Sequence, residues 1–188
     1  MRATCRTLCA IAPLAVIQPA FADPVIPANP YDPPRELTEA GMTELGVGAG
    51  LWIADGVHDV AVTPSAGRFV ADNLELAATF GLSHSKDAAA TATIWSALVE
   101  PSYHVPLNPF ASGVLGMAAG IAYQHTLGAN LMIAPRVGLE VAFARHHIVS
   151  MSLAYSYLAH SAAQGRDDAA LVALSSALRL TLGYAIRW

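Results

Sequence analysis

The chain ends ALRLTLGYAIRW, from Ala177 to Trp188, and the reading of that stretch decides the fold. Leu178, Leu180, Leu182, Tyr184, Ile186 and Trp188 take every second position. Arg179, Thr181, Gly183, Ala185 and Arg187, all small, polar or charged, alternate with them. A period of two is the signature of a β-strand with one apolar face. Whether that face looks into a protein core or into lipid depends on where the charges of the other strands fall.

The composition narrows the choice. Across 188 residues the apolar share is 54% and the charged share 13%, about half of what a soluble domain usually carries. Beyond the first two dozen residues no run of 18 apolar positions exists, so no transmembrane helix is available. Hydrophobicity spread over alternating segments is what a transmembrane β-barrel requires.

The start of the chain reads differently. Arg2 and Arg6 precede an apolar stretch from Leu8 to Ile17, and Ala20-Phe21-Ala22 supplies a small-x-small cleavage pattern. Residues 1–22 therefore read as a secretory signal peptide, which carries both cysteines, Cys5 and Cys9, away with it. Ten basic residues stand against fourteen acidic ones; losing Arg2 and Arg6 leaves eight, a mature charge of −6. Such acidity excludes nucleic acid as a partner, and a chain without thiols needs no disulfide. Residues 23–42 follow as a proline-rich linker on the periplasmic side.

From residue 43 to 188 the pattern is strand, turn, strand, eight times over. The segments span about 43–54, 58–70, 74–85, 92–106, 111–125, 130–143 and 148–160, and the eighth runs to Trp188. Each exceeds the roughly 9–11 residues that cross a bilayer at a tilt of about 45°. Along one face lie residues such as Leu45, Leu51, Leu76, Phe80, Val99, Leu115, Ile121, Leu139 and Leu153. Along the other lie Glu44, Glu75, Glu100, Arg136, Glu140 and Arg179. A soluble lipocalin-type barrel would put apolar residues inside and charges outside. Here the greasy face is nearly free of charge, so the six ionic residues belong to the lumen. The expected fold is all-β: an eight-stranded antiparallel up-and-down transmembrane β-barrel with a filled polar lumen. Gly46, Gly48 and Gly50, alternating on the inner face of the first strand, predict bulky neighbours reaching across.

Closure of such a barrel requires the last strand to pair with the first. Leu182, Tyr184, Ile186 and Trp188 resemble the C-terminal signal by which bacterial outer-membrane barrels are recognised by their assembly machinery, with Trp where Phe is commoner. The stretch PSAGRFVADNLELAATFGLSHSK, Pro64 to Lys86, also resembles the bacterial outer-membrane β-barrel domain family, relatives of the small OmpA- and OmpX-type barrels. Pro64, Gly67, Phe69, Val70, Asp72, Asn73, Leu74 and Leu76 carry the match, while Arg68 stands where that pattern has Tyr. The resemblance, over about 44–188, implies the fold and little about activity. It places the chain in the outer membrane of a Gram-negative bacterium with both termini periplasmic, in contact with membrane lipid and lipopolysaccharide.

Three groups of residues invite a chemical reading. The inner charges form either a permeation network or an ion-paired plug; an eight-stranded lumen is only wide enough for side chains, which favours the plug. Glu100, Arg136 and Arg179 are expected near mid-height, with Glu44, Glu75, Glu140 and Arg187 nearer the periplasmic end, and loss of Arg136 or Arg179 is expected to strand a glutamate. His58, His84, His125 and His160 fall near the extracellular rim but do not converge on a metal site. His84-Ser85 and His160-Ser161 could suggest a rim-located lipid-modifying enzyme, yet adjacent strand residues point to opposite faces and cannot pair as Ser–His. Trp95, Tyr103, Tyr123, Phe143 and Tyr157 read as an aromatic girdle at the membrane interfaces. The sequence therefore leads to a non-catalytic, cofactor-free membrane barrel with a structural role in the envelope. A minor pore for small solutes is the rival, and the external loops look short.

Overall fold

The computed structural model describes residues 38–54, 57–86, 91–125, 128–159 and 177–188. Eight strands run in order: β1 (Thr43–Ala54), β2 (Val57–Ala71), β3 (Leu74–Lys86), β4 (Thr91–Asn108), β5 (Ala111–Gln124), β6 (Gly128–Ala144), β7 (His147–Ala159) and β8 (Ala177–Arg187). Each is antiparallel to the next, and β8 returns to β1, so the sheet closes into a barrel. The strand bounds follow the alternation of the sequence to within a few residues. The assigned signal peptide and nearly all of the linker lie outside the described residues.

Period-two alternation becomes radial sorting. Leu178, Leu180, Leu182, Tyr184, Ile186 and Trp188 all face outward, Leu182 at 58% exposure, whereas Arg187 beside them is 1% exposed. The same outward exposure recurs at Leu51, Leu76, Leu115, Ile121, Leu139 and Leu153. All five acidic residues of the described strands, Glu44, Asp59, Glu75, Glu100 and Glu140, point inward. This is the inverse of a soluble barrel, and it suits hydrocarbon on the outside.

The end of the barrel that holds Thr43 and Trp188, the terminal end, is built tightly. Three two-residue turns, Asp72-Asn73, Pro109-Phe110 and Arg145-His146, join β2 to β3, β4 to β5 and β6 to β7 there. Asn73 takes a positive φ of 63°, which Asn tolerates better than most side chains. Each of these hairpins carries a register shift next to its turn, at Phe69/Ala71, Pro106/Asn108 and Ala142/Ala144. Bulges of this kind increase local twist and re-aim side chains. The last residues of the assigned linker, 38–42, lie against the same end. Asn73 N donates to Thr38 O (2.8 Å), Gly41 N to Phe69 O (2.8 Å) and Ala40 N to Asp72 Oδ1 (2.9 Å). Thr43 and Trp188 exchange backbone hydrogen bonds of 2.8 and 3.0 Å, so the seam between first and last strands is paired to its end.

Three prolines interrupt the ladders on their outer face. The β2–β3 register passes from Val62↔Leu82 to Ser65↔Thr79 around Pro64. Around Pro101 the β4–β5 register passes from Val99↔Ala119 to Ser102↔Gly116, and around Pro135 the β6–β7 register passes from Ile133↔Tyr157 to Arg136↔Ala154. A proline has no N–H to give, so each interruption falls where a donor is missing.

Inside, the lumen has two textures. Leu98, Ala118, Ala122, Met132 and Ala134 form a buried apolar cluster on β4, β5 and β6, with Ile94 and Leu158 packed against it. Leu98 and Met132 face inward by the same alternation that puts Glu100 and Arg136 inside, so the polar lumen also holds an apolar patch. Most of the remaining lumen is ionic or hydroxylic, apart from buried apolar residues such as Phe69, Val114 and Ile148.

Candidate functional site

The lumen holds the only dense grouping of ionic side chains among the described residues. At its terminal end they are linked in a chain. Arg187 of β8 donates from Nε to Glu44 Oε2 of β1 (2.8 Å), and its Nη2 contacts the same oxygen and Glu140 Oε2 of β6 (3.0 Å). His104 of β4 continues the chain, with Nδ1 3.2 Å from Glu140 Oε2 and Nε2 3.1 Å from Glu75 Oε2 of β3. The first contact is off the hydrogen-bond line, while the second is well formed. Ser102 donates to Glu75 Oε2 at 3.3 Å. Each imidazole nitrogen thus faces a carboxylate oxygen, Nε2 through a hydrogen bond and Nδ1 by distance alone. Five strands are thus cross-linked across the barrel interior.

Two apolar side chains finish the closure. Phe69, inward by the same alternation as Ser65 and Gly67, lies under the Arg187 guanidinium with Cζ 4.7 Å from the ring centroid, and its ring centroid is 5.0 Å from that of His104. Cation–π contact of this kind gains strength when desolvated. Ile148 of β7 is 2% exposed, Phe69 and Arg187 are each 1% and His104 is 0%. A planar, fork-shaped guanidinium bridging two carboxylates is the arrangement in which Arg outperforms Lys.

Farther up the lumen the charges come in isolated pairs. Arg136 Nε donates to Glu100 Oε1 at 2.6 Å, and Arg179 Nη2 donates to Asp59 Oδ2 at 2.5 Å. Between the closure at the terminal end, a bolt across the lumen, and Arg179 lies a chamber of ≈ 140 Å³, lined by hydroxyls such as those of Ser65, Thr79, Ser152 and Thr181 and by apolar residues such as Leu98 and Met132. A second space of ≈ 30 Å³ sits beside Ser83, Ser96 and Met132.

Glycine makes the seats for these side chains. A Cβ on Gly67 would collide with the carboxylate of Glu75, one on Gly116 with that of Glu100, and one on Gly50 would lie 2.7 Å from Arg179 Cδ. The bulky neighbour expected opposite the glycines of β1 is therefore, at Gly50, the stem of Arg179. At Gly48 it is Thr63 and Thr181, and at Gly46 it is Ser65.

All six charges anticipated from the sequence are inside the barrel. Glu44, Glu75 and Glu140 meet at the terminal end, and Glu100 and Arg136 meet near mid-height. Arg179 departs from expectation in two ways: it sits toward the far end, and its partner is Asp59 rather than a glutamate. Asp59, His104 and the closing pair Phe69 and Ile148 were not anticipated. The signal for His104 was present, because it continues the alternation Glu100, Ser102, His104. Leu182, Tyr184, Ile186 and Trp188 face outward, as do Trp95, Tyr103, Tyr123, Phe143 and Tyr157. Trp95 is register-paired with Tyr123 in the far half, and Tyr103 with Leu74 at the terminal end. Of the rim histidines, His84 bonds Thr93 Oγ1 (3.1 Å) and His125 is exposed. His160 and Ser161 lie outside the described residues, as does the side chain of His58.

Together these features define a class: a closed eight-stranded barrel with an apolar outer wall and a salt-bridged interior. Small outer-membrane barrels share this architecture, and solved structures of that kind match the chain in fold. The outer membrane protein OprG from Pseudomonas aeruginosa superposes with a TM-score of 0.54 at 10% identity, covering 80% of this chain and 97% of that one. The Yersinia pestis outer membrane protein Ail, in a phospholipid bilayer nanodisc, gives 0.52 at 12% identity, covering 79% and 99%. At such identities the likeness is one of fold. No family model matches the chain, and no curated protein matches it.

Proposed function

We propose that this chain is a non-catalytic integral protein of the bacterial outer membrane whose solid barrel serves envelope structure rather than transport. The observation that carries the reading is the closed terminal end, where Arg187, Phe69, His104 and Ile148 are each at most 2% exposed. An eight-stranded barrel has little interior to spare, and here that interior is locked by ion pairs. The proposed orientation puts both termini in the periplasm, supported by the three two-residue turns at that end, since periplasmic turns of such barrels are short. In the same reading residues 1–22 are an export signal and the outward Leu182, Tyr184, Ile186 and Trp188 address the barrel-assembly machinery. Trp95, Tyr103, Tyr123, Phe143 and Tyr157 are girdle residues against membrane lipid and lipopolysaccharide.

The test has two arms. Membrane fractionation with a heat-modifiable gel shift asks whether the protein is a membrane barrel, and recovery as a soluble protein without detergent overturns that. Planar-bilayer recording asks whether it conducts. A silent bilayer fits the solid barrel, and steady single-channel steps favour the second reading, a minor pore. That reading draws on the ≈ 140 Å³ chamber above the bolt, whose lining mixes hydroxyl and apolar groups.

A further inference from the structure

Charge is sorted on the outer wall as well as in the lumen. Every acidic residue of the described strands points inward, while the strand residues Arg68 and Lys86 point outward at opposite ends. At the terminal end the exposed basic groups lie on the side that runs from β6 through β8 to β2, five of the eight strands. Starting at β6 that arc carries Phe143, then Arg145 and His146 in the turn, His147 on β7, Tyr184 on β8 and Trp188 just past it, and Arg68 on β2. Trp188 bonds Thr43, and Thr43 is register-paired with Arg68, so the two ends of β8 and β2 flank a single residue of β1.

The middle of this arc is ordered. His147 Nδ1 and the Tyr184 hydroxyl are 2.6 Å apart, with their rings stacked at 6.0 Å, and Phe143 packs 5.7 Å from His147. His146 Nδ1 is held 2.8 Å from Arg187 O. Neither Arg68 nor Arg145, both exposed, has an ion-pair partner among the described residues. Among the described residues the acids outside the lumen are Glu39 and Asp72, in the segment before β1 and in the β2–β3 turn at the same end, and Asp72 Oδ1 accepts from Ala40 N. The opposite side of the rim is uncharged and carries Tyr103, Val105, Leu107 and Phe110, all exposed.

From this we infer that the arc from Arg145 to Arg68 is a docking surface for the phosphate headgroups of anionic phospholipid in the leaflet that meets the terminal end. Guanidinium groups match phosphate oxygens in a bidentate way, and aromatic rings hold the glycerol and upper acyl region at the same depth. A basic group at a membrane surface favours anionic lipid by about 1 kcal/mol, which is roughly fivefold. Two unpartnered arginines on one arc therefore select anionic lipid, while the uncharged side of the rim does not. The inference rests on the membrane reading above.

The experiment uses Trp188, which lies on the arc, as its reporter. The full chain carrying Trp52→Phe and Trp95→Phe is reconstituted in phosphatidylcholine bilayers doped with bromine-labelled lipid. Brominated phosphatidylglycerol is expected to quench Trp188 at several-fold lower mole fraction than brominated phosphatidylcholine. Arg68→Gln with Arg145→Gln is expected to erase the difference, and Lys86→Gln, at the other end, to leave it intact. Equal quenching by the two lipids, or a preference that survives the double arginine change, overturns the inference. Each variant is checked by the heat-modifiable shift. A chain that fails to insert even in phosphatidylcholine counts against the membrane reading itself, whereas insertion without lipid preference counts against the docking surface alone.

Discussion

The two halves of the lumen solve the same problem with unequal thoroughness. At the terminal end Glu44, Arg187, Glu140, His104 and Glu75 form one continuous chain over five strands, roofed by Phe69 and Ile148. Toward the far end Arg179 and Asp59 stand as a lone pair, and three polar atoms near them, Arg179 Nε, Asp59 Oδ1 and Ser85 Oγ, are buried without a hydrogen-bond partner, against one, His104 Nδ1, in the terminal chain. An ion inside a barrel is tolerated in proportion to the number of its donors and acceptors that are matched. The comparison teaches that stability and closure are concentrated where the termini meet. The far half is the part with room to change.

Arg187→Ala is the most direct way to break that contrast. It leaves two buried carboxylates, Glu44 and Glu140, without their shared cation. The expected loss is about 3–5 kcal/mol, read as a large drop in the urea midpoint of the heat-modifiable band in detergent. A midpoint like that of the unaltered protein would show that the bolt does not hold the barrel together.

Sharper resolution comes from comparing the two isolated pairs. Arg136→Ala strands Glu100 at mid-height and is expected to cost about 2–3 kcal/mol, charge-assisted bonds being the stronger kind. Arg179→Ala is expected to cost about 1–2 kcal/mol, because Asp59 has only one of its oxygens paired to begin with. Equal midpoints for the two variants, or the reverse order, would remove the distinction between saturated and unsaturated halves.

The glycine seats supply a contrast that ends at the smallest expected effect. Gly116→Ala puts a methyl into the space of the Glu100 carboxylate and should cost about 1–3 kcal/mol, as overpacking does. Gly113→Ala meets nothing closer than 4.0 Å and should stay within about 0.5 kcal/mol of the unaltered protein. If both alanines behave alike, the glycines are not there to seat charges.

How much was legible in the sequence varies with the residue. Glu44, Glu75, Glu100, Arg136 and Glu140 were assigned to the lumen by alternation, and all face it, because a side chain's face in a strand depends on parity alone. His104 was equally readable by parity, yet a histidine on a mostly apolar segment gave no reason to single it out. Phe69 and Ile148 were harder. Parity points both inward, but a large apolar residue in a polar lumen makes sense only once Arg187 is seen against Phe69. Arg179 shows the remaining limit. Its inward direction followed from period two, but its partner Asp59 lies 120 positions away, and pairing across a lumen depends on strand tilt and stagger.

By itself the sequence determined the number of strands, the bounds of most of them, and which face of each meets lipid. Those properties are local: they depend on apolar residues recurring at every second position and on turn residues between them. Only the tertiary structure decided which carboxylate faces which cation, where the lumen is closed, and which outward arginines share an arc. Closure of the sheet brings residues such as Glu44 and Arg187, 143 positions apart, onto neighbouring strands. The shear of a closed barrel sets every cross-lumen distance at once, and no alternation along a single strand encodes it.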